Sequence, residues 1–582
     1  MTSSIKTMAR LIDIANTITS KKPGLIRIIF VLIILLSASL RSIGLDWDAG
    51  YPYTPHPDER AILMKVGQIS FPSITELKSL LIKDESTWNP RWFPYGSFPL
   101  YFLKCSQLAV SQLLNIEITD LRMLGRIISV IADTATVATV FFVGSAIYGR
   151  REGLLAAALV ALSVIHIQLS HFFAVDTIAA LTVVITIFFL IRVAKNGRKQ
   201  DSLAAGCIVG MGLATKISIA PILLSFGMAH LIYCLNQYGG DNSNKIVPHI
   251  SASASRFAIG IIGLLATFTI TQPYAFIDFT KFVADITEQS EMVRGIRDYP
   301  YTRQYADTLP YWYQVKQLSM WGLGIPLGII AWAGLIYVSL RGLTLKLGAS
   351  YLVLGWVFPA MLLILSNSNL AVILAISVSI LSLLSTLPFR SKKSREIVVI
   401  LAWVVPYILI TGSFHVKFLR YLIPVTPFLI LFGSAMLFDL LKITLKNWPK
   451  LLPILLSFFA FILIATAFYA FSYSRVYLKD HPAVSASTWI NDNVQGGSVI
   501  LKEHWEEGIP SLYDYEIREL QLYNEDTKFK IQNIAKELQE ADFLVFYSNR
   551  LYGTIPRLKD RYPITTKYYD FLFSGKLGYQ VV

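Results

Sequence analysis

The chain has 582 residues, of which 54% are hydrophobic and 15% charged. Soluble proteins carry about 25% charged residues, so a purely soluble enzyme is excluded and a polytopic membrane protein with a smaller wetted portion is implied. The formal charge of +14 would suit a nucleic-acid partner, but the excess sits in short loops between apolar runs, where it sets topology instead, and no nucleic acid is expected.

A hydrocarbon core of roughly 30 Å needs about 20 apolar residues per helix. The first run, Leu25 to Leu45, lacks a small-residue cleavage site and reads as a retained helix after a cytoplasmic N-terminus, residues 1–24. Further runs at 124–147, 152–169, 177–194, 203–216, 219–235, 256–275, 321–340, 348–366, 369–388, 397–413, 421–441 and 451–472 bring the predicted spans to about thirteen, within one or two, the short fifth run being open to fusion with the sixth. The basic clusters (Lys21 to Arg27, Arg150 and Arg151, Lys195 to Lys199, Arg341 to Lys346, Arg390 to Arg395, Lys442 to Lys450) then all fall on the cytoplasmic side. The run Phe98 to Leu114 would break that alternation if it spanned, so it reads as a re-entrant or surface-lying helix.

Residues 46–121, residues 276–320 and the tail from Tyr473 are thereby expected outside. The tail, with 13 Lys and Arg against 15 Asp and Glu, changes composition abruptly. Helices near 484–493 and 530–540 and strands at 498–501 and 543–547 predict a small extracytoplasmic α/β domain over 473–582. Cys105, Cys207 and Cys234 form neither a disulfide framework nor a zinc spacing.

The same topology gathers polar groups on the outer face. His56-Pro57-Asp58-Glu59 opens the first outer loop, and Asp176 lies in the turn between the third and fourth spans. Lys216 ends the fifth span, and His415-Val416-Lys417-Phe418-Leu419-Arg420-Tyr421 joins the eleventh to the twelfth. The second loop adds Arg294, Arg297, Arg303 and Tyr305. Ionisable groups are costly in hydrocarbon and tend to mark sites. Such a cavity offers a carboxylate base for a hydroxyl and a cationic seat for a phosphate. Each group also has a plainer reading: Asp176 as a helix cap, Lys417 and Arg420 as snorkelling anchors, and the aromatics at 91–101 and 299–313 as an interfacial belt. His166, His230 and His249 have no evident partners and read as structural.

Taken in order, these motifs resemble the multi-spanning glycosyltransferases of the GT-C fold, in the branch of protein O-mannosyltransferases and the lipid A aminoarabinose transferase. The resemblance rests on Pro57-Asp58-Glu59 after the first span, Val175-Asp176-Thr177, Thr215-Lys216 and Lys417-Phe418-Leu419-Arg420-Tyr421. Thr302-Arg303-Gln304-Tyr305, the stretch Trp321 to Gly324, and Tyr552 to Arg557 resemble a bacterial subgroup of such enzymes. It implies a transmembrane catalytic domain over 25–472 and a sugar donor on a polyprenyl phosphate. It also implies inverting transfer to a hydroxyl of a lipid, glycan or protein, at the extracytoplasmic face of a bacterial plasma membrane. Of the catalytic pair Asp58 and Glu59, either could be the base; Asp58 is favoured, with Glu59 orienting it or binding the sugar. Lys216, Lys417, Arg420, Tyr421 and Arg303 would hold the donor phosphate; Asp176, His56 and His415 would bind acceptor or brace the loop. No cofactor is required. A divalent cation could sit on His56, Asp58 and Asp176, although the cations make a metal unnecessary. The alternative is a transporter or flippase for a lipid-linked saccharide, which needs no base.

Overall fold

In the computed structural model, residues 23–238, 247–366 and 368–582 are described. Most of the expected N-terminal segment 1–24 therefore lies outside the described residues. Ten helices among them are long and apolar enough to cross a membrane, the first Gly24–Ser42 and the last within Pro449–Asn493. An eleventh arises if Arg150–Ala161 and Val164–Ser170, bent by 56° at their junction, form one span. The count of thirteen is thus corrected. All thirteen predicted segments are helical, but Lys199–Leu213 has 15 residues and Ile325–Leu340 has 16. At ~1.5 Å per residue these fall short of a ~30 Å core. Apolarity revealed them as helices; only the turns at Ala214 and Gly324 set their length. Phe98–Leu114 is a helix of 17 residues, outside the candidate spans.

Contacts between distant segments define the two ends of the bundle. At one end the basic clusters find partners. Lys195 pairs with Glu396 at 3.0 Å, Arg341 with Asp439 at 2.9 Å and Lys442 with Glu152 at 3.1 Å. Inside the bundle Arg41, Asp133 and His166, all fully buried, form a chain. Arg41 Nε donates to Asp133 (2.6 Å) and its Nη1 to the Ala161 carbonyl (2.9 Å), where the bent helix pair breaks. Asp133 meets His166 Nδ1 at 2.6 Å. His230 bonds Ser202 and the Phe226 carbonyl at 2.8 and 2.9 Å. The structural reading of these two histidines thus acquires its partners.

The tail folds as expected in class and richer in detail. Strands β1 (Val499–Glu503), β2 (Glu516–Leu520) and β3 (Phe543–Val545) form a parallel sheet in the order β2-β1-β3. Helices Pro482–Asn493, Lys528–Glu540 and Pro563–Phe573 pack around it. β2 reads Glu-Ile-Arg-Glu-Leu, too charged and exposed to register as a strand in sequence. Leu501, Leu520, Tyr562 and Tyr569 belong to its core.

Glu503, at the end of β1, is 1% exposed. Burial, with Glu506 nearby, pushes its carboxyl up to about 7. The folded state therefore binds this proton more tightly than the unfolded chain, so the contribution of Glu503 to stability is fully present below about pH 4.5 and is lost as pH rises through 7. That shift corresponds to roughly 3 kcal/mol. Glu503→Gln is expected to remove this loss, giving a thermal midpoint above wild type at pH 8 and close to it at pH 5. A wild-type midpoint that is flat from pH 5 to pH 8 would refute it.

Candidate active site

The helix Pro57–Gln68 starts with His56 as its cap, Pro57 in the first turn, and Asp58 and Glu59 directly after it. Carboxylates suit a helix N-terminus, and adjacent positions on a helix point about 100° apart. The two acids accordingly part company. Glu59 is fully buried. It takes Arg126 on both oxygens (2.9 and 2.8 Å), the Thr54 hydroxyl (2.6 Å) and the Phe173 amide (2.9 Å). Arg126 also grips Asp48 at 2.7 and 2.8 Å. A side chain on Gly125 would come within 2.7 Å of Phe173, so glycine there allows this close packing. The oxygens of Glu59 are committed to a buried lattice that fixes the loop, which suits an orienting residue and leaves none free for a sugar.

Asp58 remains accessible, its side chain 18% exposed. It accepts a hydrogen bond from the Tyr95 hydroxyl (2.9 Å) and forms an ion pair with Arg420. Tyr95 arrives through a backbone match: the amides of Gly96 and Phe98 donate to the carbonyls of Thr215 and Ala214, each at 3.0 Å. Any side chain at Gly96 would collide with the Ala214 carbonyl. This register brings Tyr95 beside Lys216, whose Nζ meets Asp176 at 2.7 Å and lies 5.1 Å from the Tyr421 ring. Burial, and then Asp176, push the Tyr95 phenol well above its ordinary range, so it acts as a donor. Asp58, Tyr95, Asp176, Lys216, Arg420 and Tyr421 thus form one cluster.

Lys417 is 4% exposed, and its Nζ donates to the His415 carbonyl at 3.0 Å. Among the described residues no carboxylate pairs with it. Burial lowers its ammonium to about 8. A buried cation without a carboxylate partner is costly, which suits a site that receives an anion. His415 packs against Gly295, and the Val416 amide donates to the Val293 carbonyl at 3.1 Å, tying this loop to the segment before 298.

One expectation is corrected. Arg303 does not join the cluster. It pairs with Asp298 at 2.8 Å and donates to the Tyr523 carbonyl at 3.0 Å, anchoring the tail to the second loop. His56, expected to bind acceptor or brace the loop, with a metal as a further option, stacks on Phe172 (4.3 Å between centroids), and its Nδ1 accepts from the Glu59 amide (3.3 Å), a bracing geometry. Burial, with Arg420 and Arg126 near, lowers it to about 3 and keeps it neutral. No group of three or more His, Cys, Asp or Glu side chains with metal-ligand spacing occurs among the described residues. Asp58 and Asp176 each face a cation.

Sequence reasoning missed Arg126 and Tyr95. Arg126 had a signal, since an arginine inside an apolar run is rarely idle. Tyr95 lay within the aromatic cluster read as an interfacial belt, and only the Gly96–Thr215 pairing separates it from its neighbours.

Residues 116–260 match the family model for dolichyl-phosphate-mannose-protein mannosyltransferase. That segment holds Arg126, Asp176 and Lys216 but not Asp58, Lys417 or Arg420. No curated protein matches the chain by sequence. The fold is similar to that of the archaeal oligosaccharyltransferase AglB from Archaeoglobus fulgidus, solved with an inhibitory peptide and a dolichol-phosphate. The TM-score is 0.52 and the identity 13%, over 94% of this chain and 72% of that one. ArnT from Cupriavidus metallidurans, solved bound to undecaprenyl phosphate, aligns over 89% of each chain at 10% identity and a TM-score of 0.41.

Proposed function

We propose that this chain, a glycosyltransferase of the GT-C class by its matched segment and its fold, moves a sugar from a polyprenyl-phosphate donor to an acceptor hydroxyl. The reaction takes place at the mouth built by Asp58, Lys417 and Arg420, on the extracytoplasmic face. The observation that carries this reading is the pairing of an accessible carboxylate with Arg420, close in sequence to a buried lysine that no carboxylate among the described residues neutralises.

In this mechanism the donor phosphate settles against Lys417 and draws Arg420 away from Asp58. The freed carboxylate takes the proton from the acceptor hydroxyl as its oxygen attacks the anomeric carbon. The bond from that carbon to the phosphate oxygen breaks, and the electron pair leaves with the polyprenyl phosphate. Preorganised cations stabilise the charge gained there. One displacement inverts the anomeric centre, and Asp58 returns its proton to water. Asp176 keeps Lys216 in place beside Tyr421 and Tyr95.

Purified protein in nanodiscs, given a panel of radiolabelled polyprenyl-phosphate sugars with and without EDTA, tests the reading. Transfer or hydrolysis of one donor is expected, and the EDTA arm decides the metal. Tight donor binding without turnover of any donor would favour the flippase instead. Lys417 adds a pH signature. Its ammonium is charged below about 8 and neutral above, so donor affinity should fall as pH rises from 7 to 9. Lys417→Gln should bind more weakly and show a flatter profile; an unchanged profile in that variant would remove Lys417 from the phosphate seat.

A further inference from the structure

The tail sheet has a topological switch. From β1 the chain passes to β2 on one flank and then returns across β1 to form β3 on the other. Loops leaving the carboxyl ends of β1 and β3 therefore diverge, and parallel α/β sheets hold ligands in the crevice so formed. A cleft lies at that position. Glu503, Glu506 and Glu507 line it from the β1 side and Tyr547 from the β3 side, above apolar Ile500 and Val545.

The cleft adjoins the loop that carries Asp58. Tyr51 of that loop places its hydroxyl 3.2 Å from that of Tyr547. Arg60, two residues beyond Asp58, grips Glu507 at 2.8 and 2.9 Å. A second observation points to a ligand. Glu503 shares one oxygen with the Tyr569 hydroxyl, while Oε2 is buried without a partner. Buried polar atoms are nearly always hydrogen-bonded, so Glu503, a residue of the cleft lining, keeps an acceptor without its donor.

The lining selects among ligands. Lys502, the cation of the wall, is paired with Glu519 at 2.8 Å. Arg60 holds Glu507, and Arg550 lies 3.8 Å from Glu506, but the lining itself sets three carboxylates against one lysine. This excess disfavours phosphates and acidic peptides, whereas carboxylates accept hydrogen bonds from hydroxyls. The Tyr547 ring and an apolar floor can pack against the C–H faces of a sugar. We infer that this cleft binds a neutral sugar unit of the acceptor, which is therefore a glycan. The inference rests on the transferase reading above for the word acceptor; the binding itself does not.

The test is saturation-transfer NMR on the full chain in nanodiscs, without donor, using neutral trisaccharides of glucose, mannose and N-acetylglucosamine. At least one should bind, and Glu506→Gln and Tyr547→Ala should each weaken it tenfold or more while the thermal midpoint holds. Two variants guard against one failing to fold. Absence of binding by every trisaccharide at millimolar concentration would overturn the proposal, as would binding indifferent to both variants. Binding is read without turnover, so a failed donor assay would count against the transferase reading and leave this result standing.

Discussion

Asp58→Asn is expected to lower sugar transfer by about 10²- to 10⁴-fold, the usual worth of a positioned general base. Donor binding should survive, and even tighten, because the substitution releases Arg420 from its ion pair. Loss of turnover with retained affinity is the signature of a base, whereas a phosphate ligand would lose affinity. Asp58→Glu provides the conservative comparison, keeping the charge while moving the carboxylate. The readout is initial rate and donor affinity measured on the same preparation. Full activity in Asp58→Asn would remove Asp58 from the chemistry.

The second large effect belongs to Arg126, which touches no substrate. It joins Asp48 and Glu59, both buried, to the helix Arg122–Ile147. Arg126→Met would leave buried Glu59 without its cation and Asp48 with only Arg122 at 3.8 Å, and breaking a buried pair from one side costs about 3–5 kcal/mol. The expected result is a marked fall in folded yield and thermal midpoint in detergent. Adding Asp48→Asn and Glu59→Gln should restore much of the midpoint, because the uncompensated charges disappear. Arg126→Lys keeps the charge but loses the fork that spans both carboxylates, so it should fold and turn over slowly. An Arg126→Met protein with a wild-type midpoint would show that the lattice does not hold the loop.

How far these residues could be read from sequence follows from what each depends on. Apolar length revealed the helices, and the abrupt change of composition after Tyr473 revealed the tail domain. Asp58, Asp176, Lys216 and Arg420 were legible because charge beside apolar spans is rare, and the structure brings those four together. Separating Asp58 from Glu59 needed the turn of a helix and the position of Arg126. Arg303 misled because its motif lies in an outer loop, while its partners, Asp298 and Tyr523, depend on where the tail docks. The span count failed at Lys199–Leu213, a helix of 15 residues whose apolar run, 203–216, is itself too short to cross.

The proposed seat of the donor phosphate is between Lys417 and Arg420, with Asp58 freed beside it. A structure of the full chain with undecaprenyl phosphate bound in nanodiscs tests this most directly. Phosphate density is expected within ion-pair reach of Lys417 Nζ and the Arg420 guanidinium, with the Asp58–Arg420 pair opened. Phosphate held elsewhere, for example among the basic clusters at the opposite end of the bundle, with Asp58 still bound to Arg420, would contradict it.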